Sequence, residues 1–360
     1  MRQRLLGHTG LRVSELCLGT MTFGEDWGWG AEAAECGRIF DRFVEAGGTF
    51  FDCADAYVGG KSERILGDLI KRDRHLFVVG TKYGTATAND FARSGSSRKT
   101  LTQALDASLK RLDTDYIDVY WLHFADGHTP MEEIMRALDD AVRIGKILYI
   151  GLSNTPAWWA ARADLLAELR GWTRVAALQV DCSLVERTAE RELLPMARGL
   201  DIGVLGFAPM GGGVLSGKYL APLTGPSRQP GAGAFSQLKL QIAATVAAHA
   251  QTLMCSPAQL ALAWVLKYYS GGVIPIVGAR SEDQILDNIG CLSVDIPEPV
   301  AQHLAQITAP SLGFPHELLN SDLVRNLATG WQHDRFTSLL ELRPTEIVAV
   351  SLGKGYLSGC

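Results

Sequence analysis

"TFFDCADAY", residues 49 to 57, opens as a buried strand and closes on groups that a core rejects. Phe50 and Phe51 suit a strand, yet Asp52, Asp55 and Tyr57 follow at once. A carboxylate left unpaired away from water costs several kcal/mol or is forced neutral, so Asp52 needs a partner at its strand's end. The same shape recurs along the chain. Apolar runs read as strands at 15–20, 49–54, 76–82, 116–123, 147–153, 175–181, 202–209 and 272–279. They are apolar on both faces, as parallel strands covered by helices are.

The segments between the first seven are long enough for a helix each. "ERILGDLIKRD" and "SRKTLTQALDASLKRLD" show apolar residues returning at helical spacing. Repeated strand and helix fit either a (β/α)8 barrel or an open doubly wound sheet. The polar strand ends choose between them. Thr20, Asp52, Lys82, His123, Ser153, Gln179 and Pro209 all stand at C-terminal ends. Those ends meet at one mouth in a barrel, whereas the outer ones of an open sheet lie too far apart to cooperate. The expected fold is therefore a (β/α)8 TIM barrel. "RLLGHTGLRVS" ahead of the first strand reads as an N-terminal β-hairpin that plugs the barrel floor. Residues 221–236, rich in Pro, Gly and Ser, read as a long surface loop before the eighth strand. No linker marks a second domain, so the barrel is taken as 1–333 and 334–360 as a C-terminal extension.

Composition sets limits. Hydrophobic residues make up 47% and charged ones 20%, a globular balance. A net charge of -5 offers no basic field for nucleic acid or anionic lipid. Seven scattered cysteines without Cys-x-x-Cys spacing read as reduced thiols. With no signal-peptide run and no transmembrane stretch, a cytoplasmic location is expected, with no membrane partner. No His, Cys, Asp and Glu cluster has metal-ligand spacing. The oligomeric state is left open.

Asp52, Tyr57, Lys82 and His123 make a chemical group. A tyrosine is a poor acid at neutral pH, but a nearby ammonium stabilises its phenolate and lowers its pKa. Lys82 would supply that ammonium, with Asp52 as its counterion, and His123 would orient a substrate carbonyl. Singly these residues are ordinary: a strand-end Asp is usually a cap, and a lone His a satisfied structural one. Asp55 reads as a cap on the turn before "ERILGDLI", and Trp158 and Trp159 as helix packing. The run "GGGVLSG" fits neither dinucleotide nor Walker spacing and reads as a flexible turn.

The stretches "LGTMTFG", "FFDCADAYVGGKSERILGDLI", "VVGTKYG", "SRKTLTQALDASLKRLDTDYIDVYWLH", "GKILYIGLSN", "GVLGFAPMGGGVLSGKY" and "VIPIVGARSEDQILDNI" together resemble the aldo-keto reductases, over about residues 3 to 333. The likeness is to the longer bacterial-type members, relatives of the potassium-channel beta subunits. It implies a (β/α)8 barrel that binds NADPH with its nicotinamide at the mouth. It also implies a catalytic tetrad of Asp52, Tyr57, Lys82 and His123, with hydride passing to a carbonyl carbon while Tyr57 protonates the oxygen. Implied cofactor contacts are Gly19, Thr20, Met21 and Asp52 by the ribose, and Ser153, Asn154 and Gln179 at the carboxamide. Phe207, Ala208, Pro209, Met210, Gly211, Gly212 and Lys218 are implied at the pyrophosphate, and Gly278, Arg280, Gln284, Asp287 and Asn288 at the adenosine end. An Arg at 280 suits a 2'-phosphate.

Two departures stand out. Cys182 occupies a place where the family resemblance leads one to expect an aromatic residue stacked on the nicotinamide, and Ala208 replaces a Ser. The leading function is an NADPH-dependent reductase acting on a small carbonyl substrate. Its alternatives are a non-catalytic cofactor-binding regulatory subunit and a Schiff-base aldolase using Lys82. "GEDWGWG" puts Trp27 and Trp29 near the mouth, a face for an apolar or sugar-like substrate.

Overall fold

The computed structural model describes residues 1–86, 90, 93–222, 231–269, 272–332 and 335. The 334–360 extension, apart from residue 335, and residues 223–230 of the expected surface loop lie outside them. A hairpin comes first, with β1 (Gln3–Leu5) antiparallel to β2 (Arg12–Ser14). Eight parallel strands follow: β3 (Cys17–Gly19), β4 (Phe50–Asp52), β5 (Val78–Tyr83), β6 (Ile117–Leu122), β7 (Ile147–Ser153), β8 (Val175–Asp181), β9 (Gly203–Phe207) and β10 (Val273–Val277). They close into a barrel, β10 pairing with β3 through Ile276 opposite Cys17. The chain is thus a (β/α)8 barrel with a hairpin at its N-terminus.

The helices α1 (Ala33–Glu45), α2 (Lys61–Ile70), α3 (Arg98–Leu112), α4 (Met131–Arg143), α5 (Ala157–Arg170) and α6 (Leu193–Gly199) each follow a strand. Two helices, α7 (Gln237–Thr252) and α8 (Pro257–Tyr268), lead into β10, and α9 (Glu282–Gly290) and α10 (Glu298–Ile307) follow it. Their starts are signalled locally. Ser97 accepts from the Thr100 amide, and Ser256 forms a capping box with Gln259 ahead of Pro257.

Strand alternation divides the core in two. Cys17, Phe50, Val78, Val119, Trp121, Ala177, Leu205 and Ile274 point inward and form one apolar cluster with Leu6 and Val13 of the hairpin region. The hairpin therefore seals the interior from below, as its sequence suggested. Leu18, Phe51, Val79, Tyr120 and Leu178 point outward and pack against the helices. Trp159 is buried among them while Trp158 is 66% exposed, so only one of that pair packs.

Trp121 is the largest inward side chain, and glycines on both neighbouring strands make room for it. A Cβ at Gly151 would lie 2.2 Å from its ring, and one at Gly80 2.6 Å from its Nε1. Overpacking of this kind costs about 1–3 kcal/mol, so Gly151→Ala should lower the urea midpoint of unfolding clearly. Gly10→Ala, with nothing within 4 Å, should stay within about 0.5 kcal/mol of the parent. Equal midpoints for the two variants would show that the interior yields around Trp121.

Candidate active site

The alternation that buries Phe50 also fixes Asp52, two residues on and on the same inner face. The same count along β5 runs from Val78 through Gly80 to Lys82, and along β6 from Val119 through Trp121 to His123. The top layer of the interior is thus polar where the lower layers are apolar. Register holds it together, since Asp52 pairs with Gly19 on one side and Gly80 on the other, and Lys82 lies opposite Trp121.

Lys82 Nζ donates to Asp52 Oδ2 at 2.5 Å, to the Cys53 carbonyl at 2.7 Å and to Tyr57 Oη at 3.2 Å. An ammonium has three N–H groups, and all three are used. The side chains of Lys82 and Asp52 are 1% and 4% exposed. Gln179 Nε2 donates to the other Asp52 oxygen at 2.9 Å. Asp52 thus has the partner its position demanded. Tyr57 follows β4 on a short 3-10 turn, Tyr57–Gly60, and its ring stands edge-on to His123 with centroids 6.2 Å apart.

The electrostatics follow from burial. Burial alone would lower the Lys82 pKa, but Asp52 and Tyr57 outweigh it and hold the group above its ordinary value, as an ammonium. Burial pushes Asp52 up, against the pull of Lys82 and Gln179. Tyr57 departs from expectation: Lys82 does pull its pKa down, yet burial is the larger effect and leaves it raised. The phenol is therefore a held, protonated donor rather than a preformed phenolate. Burial, then the Lys82 charge, pushes His123 down to about 3, so its imidazole is neutral. His123 Nδ1 is buried and has no hydrogen-bond partner among the described residues.

These groups open onto a cavity of about 1050 Å³. Tyr57, His123, Trp27 and Trp29 line it, as do Arg280, Gln284, Asp287 and Asn288. Gly19, Met21, Asp52, Asn154, Gln179, Lys218, Gly278 and the run from Phe207 to Gly213 complete this part of its wall. Lys82 lies beneath the wall. In the glycine run Gly211, Gly212 and Gly213 have φ of 56°, 69° and 93°, values only glycine adopts freely, so the turn is fixed in shape. A Cβ on Gly213 would stand 3.4 Å from Lys218 Nζ, which brings an ammonium against that backbone. Ser281 caps α9, and the Arg280 amide donates to Gln284 Oε1 at 2.9 Å.

Some sequence expectations change. Thr20 and Ser153 are buried and do not line the cavity: the Thr20 hydroxyl donates to the Asp52 carbonyl, and Ser153 Oγ accepts from Asn154 Nδ2. Both support neighbours that do. Cys182 is also fully buried and turned away, packed beside Gly206. Counting by two from Gln179 reaches Asp181 on the inner face and Cys182 on the outer, so the thiol replaces no ring in the cavity. Phe207, on the inner face of β9, does put an aromatic ring on that wall. Asp55 is buried just ahead of the Tyr57–Gly60 turn, while α2 itself has Gly60 as N-cap and no side-chain cap. Asp55 Oδ1 accepts from Thr85 Oγ1 at 3.0 Å. Asp181 was legible by the same count and was missed. Phe235 and Lys239, also on the wall, come from the segment before α7 and its first turn, where no local pattern marks them.

The sequence profile of the Aldo/keto reductase family matches residues 15–309. The chain belongs to that family. It is 36% identical over 320 residues to an uncharacterised oxidoreductase, YrpG, of Bacillus subtilis, covering 85% of this chain and 96% of the relative. Norsolorinic acid reductase B of Dothistroma septosporum is 33% identical, with 90% of this chain and 86% of the relative covered. An aryl-alcohol dehydrogenase of Pestalotiopsis microspora is 32% identical, with 88% and 85% covered. The chain is accordingly an oxidoreductase of the aldo-keto reductase type. Among the described residues no helix is long and apolar enough to cross a membrane, and no group of three His, Cys, Asp or Glu could hold a metal ion.

The His123 geometry predicts a pH response. With a folded pKa near 3 against about 6.5 when unfolded, the imidazole gains a proton only on unfolding. Its contribution to stability is therefore complete above the unfolded value and is lost as pH falls through 6.5 towards 3. In an NMR titration from pH 8 to 5, the His123 ring signals should stay in place. Titration of His123 within that window would show that its pocket admits water freely.

Proposed function

We propose that this protein is an NADPH-dependent reductase of aldehydes or ketones, with Tyr57 as proton donor, and that it also runs in reverse on alcohols. One observation carries the reading: Tyr57 Oη accepts from the Lys82 ammonium at 3.2 Å at the edge of the cavity. A phenol so placed keeps its own O–H for a substrate oxygen. As that proton leaves, the negative charge forming on Tyr57 lies against an ammonium already in position, with no reorganisation required. Asp52 and Gln179 keep the ammonium aimed. His123, neutral and beside Tyr57, offers a ring N–H to the same substrate oxygen and adds no competing charge.

The cavity suits an extended dinucleotide. Its wall has Arg280 beside the start of α9, a natural place for a phosphate. It also has a glycine turn and Lys218, the two elements of an anion cradle. Phe207 gives a flat face for the nicotinamide, with Asn154 and Gln179 for its carboxamide. The dihydronicotinamide, when bound, supplies the hydride. The aldolase alternative needs a free amine at Lys82, and a buried ammonium with three acceptors is a poor nucleophile.

Trp27 and Trp29 stand 5.7 Å apart by ring centroid, with Trp27 edge-on to Tyr57 at 6.5 Å. Flat aromatic aldehydes and ketones are the preferred substrates on this reading, in keeping with the aryl-alcohol dehydrogenase among its relatives. NADPH consumption against matched aryl and alkyl carbonyls tests this, and equal kcat/KM for the two sets would reject the aromatic preference.

Tyr57→Phe should abolish turnover and leave NADPH affinity almost unchanged, because the lost group acts in the chemical step. Near-normal turnover in that variant would make Tyr57 a bystander. Charge-assisted hydrogen bonds are worth roughly 1.5–3 kcal/mol, so Arg280→Ala should weaken NADPH by about one to two orders of magnitude. NADH, without the 2'-phosphate, should be barely affected when both are followed by tryptophan fluorescence. Equal weakening of the two would mean that Arg280 supports its loop and reads no phosphate.

A further inference from the structure

Asp55 is a buried carboxyl that the chemistry above does not use. It is 3% exposed and sits midway between Asp52 and Tyr57. Both its backbone and its side chain hold the end of β5: its amide donates to the Lys82 carbonyl at 3.2 Å, and its Oδ1 accepts from Thr85 Oγ1 at 3.0 Å. The segment it anchors is strained. Tyr57 is followed by three left-handed residues, Val58, Gly59 and Gly60, with φ of 50°, 62° and 84°. For a β-branched valine such a φ is a real outlier, costing on the order of 1–3 kcal/mol, and it persists only where neighbours enforce it.

We propose that Asp55 is a positioning residue: through Thr85 it clamps the strained turn that carries Tyr57 to the strand that carries Lys82, and so sets the phenol-to-ammonium distance. The proposal rests on the reductase reading for its kinetic consequences, while the clamp itself is independent of it. Released from Thr85, the turn relaxes and Tyr57 moves relative to Lys82. The clamp is also sensitive to charge. Glu63 of α2 faces Asp55 with the same charge, and Arg111 of α3 opposes it while paired to Glu63 at 2.5 Å. Tyr120 of β6 is the remaining titratable neighbour, and the Ala56 amide and Thr85 hydroxyl are its neutral ones. Burial, then Glu63, raises the carboxyl to about 7. The folded protein therefore favours the neutral acid below that pH. As pH rises through 7 the carboxylate forms, a stronger acceptor for the Thr85 hydroxyl than the neutral acid, and the clamp tightens.

A misplacement of an ångström in a catalytic group can cost 10²-fold, so Asp55→Ala should lower kcat by about 10- to 100-fold, with KM and NADPH affinity changed less than about twofold. Thr85→Val should do the same to a smaller degree, and Thr85→Ser should restore it. In the parent, kcat should rise as pH rises through 7, and Asp55→Asn should flatten that profile. A readout free of turnover separates this proposal from the reductase reading: ultraviolet titration of the Tyr57 phenol, identified as the signal missing in Tyr57→Phe. The Tyr57 transition should move in Asp55→Ala and in Thr85→Val, with no cofactor present. If Asp55→Ala fails to fold, the Thr85 variants and Asp55→Asn carry the test. An unmoved Tyr57 transition, or a pH inflection that survives in Asp55→Asn, would overturn the proposal. A moved transition without carbonyl reduction would sustain the clamp and reject the reductase.

Discussion

The buried pair of Asp52 and Lys82 is the interaction on which the site depends. Two charges removed from water at 2.5 Å separation recover their desolvation only with good geometry and with their remaining hydrogen-bonding capacity filled. Here it is filled. Lys82 uses its other two protons on Cys53 and Tyr57, and Asp52 accepts from Gln179 at its second oxygen. Removing one member of such a pair typically costs about 3–5 kcal/mol, because the other is left charged and buried. The pair, with Gln179, therefore links β4, β5 and β8 at the mouth. The Tyr57 phenol is hydrogen-bonded to that fixed ammonium.

That pair can exist only because a closed barrel converts strand alternation into layers. Phe50 and Asp52, Val78 and Lys82, Ala177 and Gln179 differ in chemistry but share an inner face. Below, the layers are apolar, sealed by Leu6 and Val13 and filled by Trp121. Above, they are polar and meet the cavity. The transition from one to the other within two residues of each strand explains why a carboxylate can follow two phenylalanines. It also explains Cys182, which is one residue out of phase and so belongs to the outer core.

Burial then decides the protonation states. The same removal from water that strengthens the ion pair keeps Tyr57 protonated and His123 neutral. A donor phenol, a neutral hydrogen-bond donor and a fixed ammonium suit a step that delivers a proton to a developing alkoxide. Burial sets the first two, while Asp52 and Tyr57 hold the third against it.

By itself the sequence determined the eightfold strand and helix order, the hairpin, and the strand-end residues that would converge, because each follows from local periodicity and from the cost of an unpaired buried charge. It also carried the motifs of the family, whose resemblance implies the tetrad. The tertiary structure decided what periodicity cannot express. Whether Thr20 and Ser153 face the cavity, whether Phe207 or a residue at 182 puts a ring on its wall, and whether the Asp55 side chain reaches Thr85 all depend on register and on side chains from distant strands. The direction of the Tyr57 shift was out of reach for the same reason. A sequence shows that an ammonium is near, but the depth of burial that outweighs it exists only once the barrel has closed.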